Sequence, residues 1–269
     1  MSSNPELFVV IGDVHAKVAL ALQALARIEQ EQGRKIAQVF SVGDFGLFLS
    51  ESDWDFFTGP ARHKHPDWSP EIRKAWTRWQ WPLAMIGGNH EPWHRLRVFD
   101  PGHFGDKLSY TNGGVLPHTL SGLMVVGLSG IQRPLKKVCS AETAWQETLA
   151  QCQFGRISRR ELTFYRSQDV IAAANASPAH ILLTHDSPSD PDTGHPVVDR
   201  PERLIASAVG PRFHFSGHHH RSAAFAIERT EVRALNIIAD NARQDIPKPG
   251  WAWLGTWDGQ TLCEIGFWP

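Results

Sequence analysis

The scarcities of this chain are specific. It holds three cysteines in 269 residues, Cys139, Cys152 and Cys263. Odd in number and scattered, they make neither a disulfide framework nor a thiolate metal site, and they fit a reducing, cytoplasmic setting. No apolar run approaches the ~20 residues needed to span a bilayer. No basic stretch followed by an apolar core opens the chain. The expectation is a cytoplasmic protein with no membrane partner. Neither sign of charge is in excess: 27 Lys and Arg balance 28 Asp and Glu, for a net charge of -1. That removes the broad basic stripe by which nucleic-acid binders neutralise phosphates. The small basic clusters, Arg156 with Arg159 and Arg160, and Lys136 with Lys137, read as solvated surface. What remains, with 42% apolar residues, is enough for one large α/β core.

Against these absences stand five short polar motifs, each placed at the end of an apolar run. They are Gly12-Asp13-Val14-His15, Gly43-Asp44, Gly88-Asn89-His90-Glu91, His185-Asp186 and Gly217-His218-His219-His220. The runs before them, residues 7–11, 38–42, 83–86, 181–184 and 212–216, are short and read as strands. Strands that each end in a ligand-type side chain converge on one cleft at a sheet edge. The residue types fit a pair of divalent ions, which clamp a phosphoryl group and lower the pKa of a bound water. Asp13, His15, Asp44, Asn89, His185, His218 and His220 form a mixed nitrogen and oxygen set without thiolate. Such a set suits Mn, Fe, Zn, Ni or Co better than Mg or Ca. Gly43, Gly88 and Gly217 are expected to let the backbone turn sharply at the strand ends.

In their order along the chain these motifs resemble the calcineurin-like metallophosphoesterase superfamily, from about residue 7 to residue 220. The resemblance implies two metal ions, Mn foremost, as cofactors. Asp13, His15 and His220 would hold one. Asn89, His185 and His218 would hold the other, with Asp44 bridging and a hydroxide between the metals as nucleophile. His90 would be the uncoordinated imidazole that contacts the phosphate and protonates the leaving oxygen, so that Asp44, Asn89 and His90 carry the catalysis. Two departures stand out. Many members carry an acid three positions after the bridging Asp, where it orients the motif histidine; here that position is Leu47. The arginines by which protein Ser/Thr phosphatases of the superfamily grip phosphate are also missing from the motifs.

The spacing between motifs is similar to the core of RNA lariat debranching enzymes. Tyr110-Thr111-Asn112-Gly113-Gly114-Val115, Val125 to Ile131 and Thr184-His185-Asp186-Ser187-Pro188 carry that likeness. Those enzymes also lack an acid at the position of Leu47, but have Cys where this chain has Asp13. Cyanobacterial phosphatases of the same superfamily are a further likeness.

The expected fold is α/β: a two-sheet β-sandwich flanked by helices, with metals at the C-terminal ends of strands. One domain spans residues 1–269, with a Trp-rich insertion at about 51–82 and a lid segment at about 132–159. Helices are expected at 18–30, where Ala19, Leu22, Leu25, Ala26 and Ile28 form a stripe, and at 71–79, 160–174 and 201–209. Further strands are expected at 108–110, 115–118 and 123–128. Residues 222–227, 232–237, 251–257 and 262–267 then read as antiparallel strands making the second sheet.

Of the remaining polar and aromatic residues, most read as structural. Trp76, Trp79 and Trp81 are expected to pack the insertion on the core rather than to stack nucleobases. His63, His65, His94, His103, His118, His180, His195 and His214 lie outside the motifs and read as surface or hydrogen-bonded side chains. His219 is expected to point away from the metals, and Glu91 to position backbone. Arg133, after the Ser129-Gly130-Ile131 turn, joins Asn89 and His90 as a candidate substrate-binding residue. The expected activity is hydrolysis of phosphate monoesters, on small molecules or Ser/Thr phosphoproteins. The alternatives are a phosphodiesterase acting on RNA branches or small nucleotides, and a metal-binding scaffold without turnover.

Overall fold

A computed structural model describes residues 4–133, 144–176, 178–189, 200–240 and 245–269. The first half of the chain supplies β1 (Glu6–Ile11), β2 (Ile36–Ser41), β3 (Leu83–Met85), β4 (Leu108–Tyr110), β5 (Gly113–Val115) and β6 (Val125–Leu128). The second half supplies β7 (Ile181–Thr184), β8 (Phe213–Ser216), β9 (Ala223–Ile227), β10 (Thr230–Ala234), β11 (Ala252–Trp257) and β12 (Leu262–Phe267). They form two six-stranded sheets, ordered β12-β11-β1-β2-β3-β4 and β5-β6-β7-β8-β10-β9. β1, β2, β3 and β4 are parallel, and so are β6, β7, β8 and β10. In each sheet the parallel strands therefore end on one edge, and the five motifs lie just beyond it.

The continuous apolar runs of these strands follow from burial on both faces. Along β1, Phe8 and Val10 point between the sheets, where they meet Phe40, Val42, Leu183, Phe213, Phe215 and Trp253. Leu7, Val9 and Ile11 point the other way, into a second core with Leu25, Ile28 and Trp76. The outer face of the second sheet, with Val126, Leu128 and Leu182, is covered by Ala173, Ile205 and Val209. These last come from two helices, Ser167–Ala174 and Pro201–Val209.

The helix after β1, α1 (Val18–Gln32), ends at Gly33, whose φ of 61° is the left-handed cap that glycine accepts without strain. Its buried face is Val18, Ala21, Ala24, Leu25 and Ile28. Ala19 and Ala26 of the expected stripe are exposed; the 3, 4, 7 spacing starting at Val18 gives the face that closes on the sheet. The insertion holds 3₁₀ turns at Glu51–Phe56, Ala61–His63 and Pro66–Trp68, then α2 (Ser69–Arg78). Trp76, Trp79 and Trp81 are buried, and their indole N–H groups donate to Phe104 O, Trp81 O and Glu29 Oε1. They pack; no face is left for a base.

Three expectations are corrected. The last four strands do not build one sheet: β9 and β10 extend the second, while β11 and β12 join the first beside β1. β11 pairs antiparallel with β1, Ala252 opposite Ile11, because both faces of β11 are apolar and need a central place. The helix expected over 160–174 is broken into a 3₁₀ turn, Arg159–Thr163, and Ser167–Ala174. Phe164 and Tyr165 leave the helical path because their backbone pairs with Ile131. The strand expected at 115–118 is Gly113–Val115, paired with β6. The lid expected over 132–159 falls partly on residues 134–143, outside the described residues, as do Lys136, Lys137, Cys139 and His195; Trp145–Gln153 within it is helical.

Candidate metal centre

Three of the five motifs place side chains on a backbone that most residues avoid. His15, Asp44, His218 and His220 have φ of 47°, 50°, 68° and 53°. Such left-handed residues cost about 1–3 kcal/mol each and gather where function requires a fixed side chain. The glycines serve in two ways. Gly43, at φ 100°, makes the sharp turn expected of it. Gly88 and Gly217 are not in the left-handed region; a Cβ at Gly88 would run into the Asp44 carboxylate, and one at Gly217 into that of Asp13. They allow close approach rather than a turn, which corrects the expectation for these two.

The side chains converge. His220 Nε2 lies 3.1 Å from Asp13 Oδ2 and 3.1 Å from His15 Nε2, and His15 Nε2 lies 3.8 Å from Asp13 Oδ2. Nearby, His185 Nε2 lies 3.4 Å from Asp44 Oδ2 and 3.1 Å from Asn89 Oδ1. Asp44 Oδ2 is also 3.7 Å from His15 Nε2, so this carboxylate faces both clusters. Asp13 belongs to both carboxylate–histidine groups as well, one with His15 and His220 and one with Asp44 and His185. The His218 ring is 5.0 Å from that of His185, and its backbone N–H donates to the Asp13 carboxylate at 3.2 Å. Donors that share an ion at ~2.1 Å stand up to ~4.2 Å apart. Asp13, His15 and His220, and His185 with Asp44 and Asn89, fit that requirement and offer the N/O chemistry of a first-row divalent pair, while His218 adjoins the second group through its ring contact with His185.

Electrostatics agree with this use. Burial holds His15 down at about 4, against the pull of Asp44 and Asp13, and burial with the neighbouring His185 holds His218 at about 4. Burial thus favours the neutral form of both imidazoles, the form that ligates a metal. For His185 burial also works downward, but Asp44, Asp13 and the carbonyl of Val42 outweigh it and raise the group to about 10. Its Nδ1–H donates to Val42 O at 2.9 Å, which turns Nε2 toward Asp44. The proton held there occupies the place of a cation, and metal uptake would release it. Asp44 stays far below the usual carboxylate range: burial opposes this, and His185 and His90 prevail.

Around the donors lie supporting contacts. Glu91 is buried and accepts from Phe45 N at 2.8 Å and Gly46 N at 3.0 Å, holding the loop after Asp44. Burial and the Asp44 charge raise it to about 8. Asp186 ties its turn to Arg200 Nη1 at 3.1 Å, and His219 lies 3.8 Å from Asp186. His118, His180 and His214 are taken up by hydrogen bonds to Leu120 N, Met124 N and Thr184 Oγ1.

Over residues 7–222 the sequence matches the calcineurin-like phosphoesterase family. The chain belongs to that family. This phosphoesterase is also similar, at 22% identity over 232 residues, to a lariat debranching enzyme of Entamoeba histolytica. The match takes in 78% of this chain and 63% of that enzyme, so the chain spans less than two thirds of its relative. One solved structure superposes over 98% of this chain and 100% of its own, with a TM-score of 0.55 at 9% identity, a likeness of fold alone. A putative 5'-nucleotidase from Staphylococcus aureus gives a TM-score of 0.49 at 15% identity, covering 98% of this chain and 53% of that one. The family uses a dinuclear divalent metal centre, and this chain presents candidate ligands for one. Among its described residues no helix is long and apolar enough to cross a membrane.

Beside the metal donors opens a cleft of about 420 Å³, lined by Thr58, Pro60, Asn89, His90, Arg160 and Thr163 among others. Arg133, the cation expected there, is turned aside: it pairs with Glu161 and lies 4.8 Å over the Phe164 ring. Arg160 lines the cleft instead, and sequence reasoning missed it. Its turn is fixed by the buried Arg97, which donates to Leu162 O at 2.9 Å and Phe164 O at 3.2 Å between the rings of Trp93 and Trp145. Nothing local in Arg156–Arg160 distinguishes Arg160 from its neighbours; Arg159 lies over Phe56 and Arg156 over Phe154.

Proposed function

We propose that the chain is a single-domain phosphatase for phosphate monoesters, with Mn as a competent metal. The observation that carries this reading is the cleft: about 420 Å³, compact, and lined by Asn89, His90 and one arginine, Arg160. That volume lies in the range of small-ligand sites. A net charge of -1 gives no general attraction for a long polyanion.

Asp13, His15 and His220 would hold one ion, and Asn89, His185 and His218 the other, with Asp44 between. Bound there, a divalent pair supplies an activated water and neutralises the phosphoryl charge. The rest is done by the chain's own groups. Asn89 and His90 face the phosphoryl group, and His90 gives its proton to the leaving oxygen as the ester bond breaks. Arg160 holds the part of the substrate that extends into the cleft. Arg133 reaches substrate only by leaving Glu161.

A second reading, phosphodiester cleavage at RNA branches or small nucleotides, is favoured by the lariat debranching relative. Chelator-stripped protein, given Mn and offered an aryl phosphate monoester, its diester analogue and a branched RNA, separates the two. Monoester turnover restored by Mn is expected. Turnover of diester or branched RNA alone sinks the phosphatase reading in favour of the second.

A further inference from the structure

The strand ends account for the metal donors but not for what holds His90. The side chain three positions after Asp44 is Leu47, apolar and buried in the helix-side core. Accordingly His90 Nδ1 is buried with no hydrogen-bond partner among the described residues. An imidazole that delivers a proton must still keep its orientation, because a misplacement of about 1 Å costs up to ~10²-fold in rate.

The first turn of the insertion surrounds the ring. Phe57 stacks on it, with centroids 5.4 Å apart and planes at 27°. Gly59 presses on its edge: a Cβ at Gly59 would lie 2.6 Å from His90 Cε1 and 2.7 Å from Nδ1, inside any tolerable contact. Thr58 Oγ1 donates to Asn89 O at 2.5 Å, pinning the backbone just before His90. From the opposite side, His90 N donates to Asp44 Oδ1 at 2.6 Å. Phe57 is itself backed by Trp54, 5.6 Å away, which stacks on Phe48 at 4.1 Å. A column of aromatic rings thus runs from the core to the imidazole, stacked at both ends and tilted between Trp54 and Phe57.

We propose that Phe57, Thr58 and Gly59 are the positioning residues of His90, a packed slot doing the work that a hydrogen-bonded acid does elsewhere. The inference rests on the reading of His90 as proton donor. It gives the insertion a role at the site beyond its packing on the core. Gly59 is required because a side chain there would press on both the Phe57 ring, 2.5 Å from its Cβ, and the imidazole, and Phe57 because its face sets the plane of the imidazole.

The test uses the full chain loaded with Mn and turning over an aryl phosphate. Gly59→Ala and Phe57→Leu are expected to lower kcat about tenfold with KM and metal content unchanged, and Phe57→Tyr to stay near wild type. In a His90→Ala background, Gly59→Ala should add no further loss, since the two changes act on one group. A second readout is independent of turnover. In the metal-free protein the His90 ring protons should carry an upfield ring-current shift that Phe57→Leu removes, Phe57→Tyr keeps and Gly59→Ala moves. Additive losses in the double variant, or His90 resonances indifferent to all three changes, overturn the proposal. If His90→Ala lowers kcat while Gly59→Ala and Phe57→Leu do not, the slot alone is wrong. If His90→Ala leaves kcat intact, the proton-donor reading falls and the slot falls with it.

Discussion

The two sides of the cleft are built by different means. On the sheet side, donors stand one to four residues past a strand end, four of them in left-handed backbone, and are held by short polar contacts such as Val42 O to His185 and Asp13 to His218 N. On the insertion side there are no strands. Phe57 is held by aromatic packing, Thr58 by its hydrogen bond to Asn89 O, and Arg160 by a 3₁₀ turn pinned through Arg97. The sheet side is rigid because backbone ladders fix it. The insertion side is fixed only as well as its core is packed. Substrate choice can therefore change on the insertion side without disturbing the donors, as is general for sites on connecting segments over a rigid scaffold.

The comparison breaks most sharply at Asp44. Asp44→Asn removes the charge that faces both donor clusters and should lower metal content together with kcat, by about 10³-fold or more, given the several kcal/mol of charge stabilisation that a metal supplies. His90→Ala should leave metal content at the wild-type level and lower kcat by ~10²–10⁴-fold, the usual worth of a positioned acid. Metal analysis beside kinetics on the two variants distinguishes them. Loss of metal in His90→Ala would place His90 among the donors and erase the division drawn here.

A smaller effect is expected at Arg160. The group is exposed, so one charge-assisted contact to substrate is worth about 1 kcal/mol, and Arg160→Ala should raise KM about fivefold with kcat nearly unchanged. The difference should shrink as salt rises. Arg133→Ala, with its partner Glu161 already in place of substrate, should leave KM within twofold. If Arg133 proves the more sensitive, its pairing with Glu161 is broken on binding and the two arginines exchange roles.

The same division decides what could be read from the sequence. The side chains that meet at the sheet edge are legible because each stands within four residues of the strand that delivers it. Apolar run, glycine and ligand are neighbours in the chain. Helix Pro201–Val209 and strands Ile181–Thr184 and Leu262–Phe267 were likewise legible to the residue, since their punctuation is local. Arg160 and Gly59 were not. Nothing within ten residues of Arg160 signals that Arg97, 63 positions earlier, anchors its turn. Partition of the last four strands failed for a related reason. The apolar run Ala252–Trp257 shows that β11 is a strand, but its partner β1 lies at the other end of the chain. Why Leu47 does not leave His90 loose was also invisible, because the slot is made by packing across 30 residues and carries no motif.

The smallest effect on turnover, and the best test of how the insertion is held, belongs to Asp53. This carboxylate is buried at the root of the insertion and meets His103 Nε2 at 3.2 Å, His94 Nε2 at 3.2 Å, Arg95 Nε at 3.4 Å and Ser50 N at 2.9 Å. Burial alone would raise it; His103, His94 and the Ser50 N–H outweigh burial and hold it well below the ordinary carboxylate range. A depressed carboxylate stabilises the fold at every pH above its unfolded value, near 3.9, and that contribution fades as pH falls through and below that value. Asp53→Asn should therefore cost about 1–3 kcal/mol at neutral pH, as expected when one partner of a buried polar set is altered. The gap between wild type and variant should narrow below pH 4 in denaturant melts. Because His90 is held by Phe57 and not by Asp53 directly, kcat for the folded variant should stay within twofold. A gap that is constant from pH 7 to pH 3 would mean that Asp53 fills space rather than carrying charge. A large loss of kcat would mean that the root and the tip of the insertion move as one body.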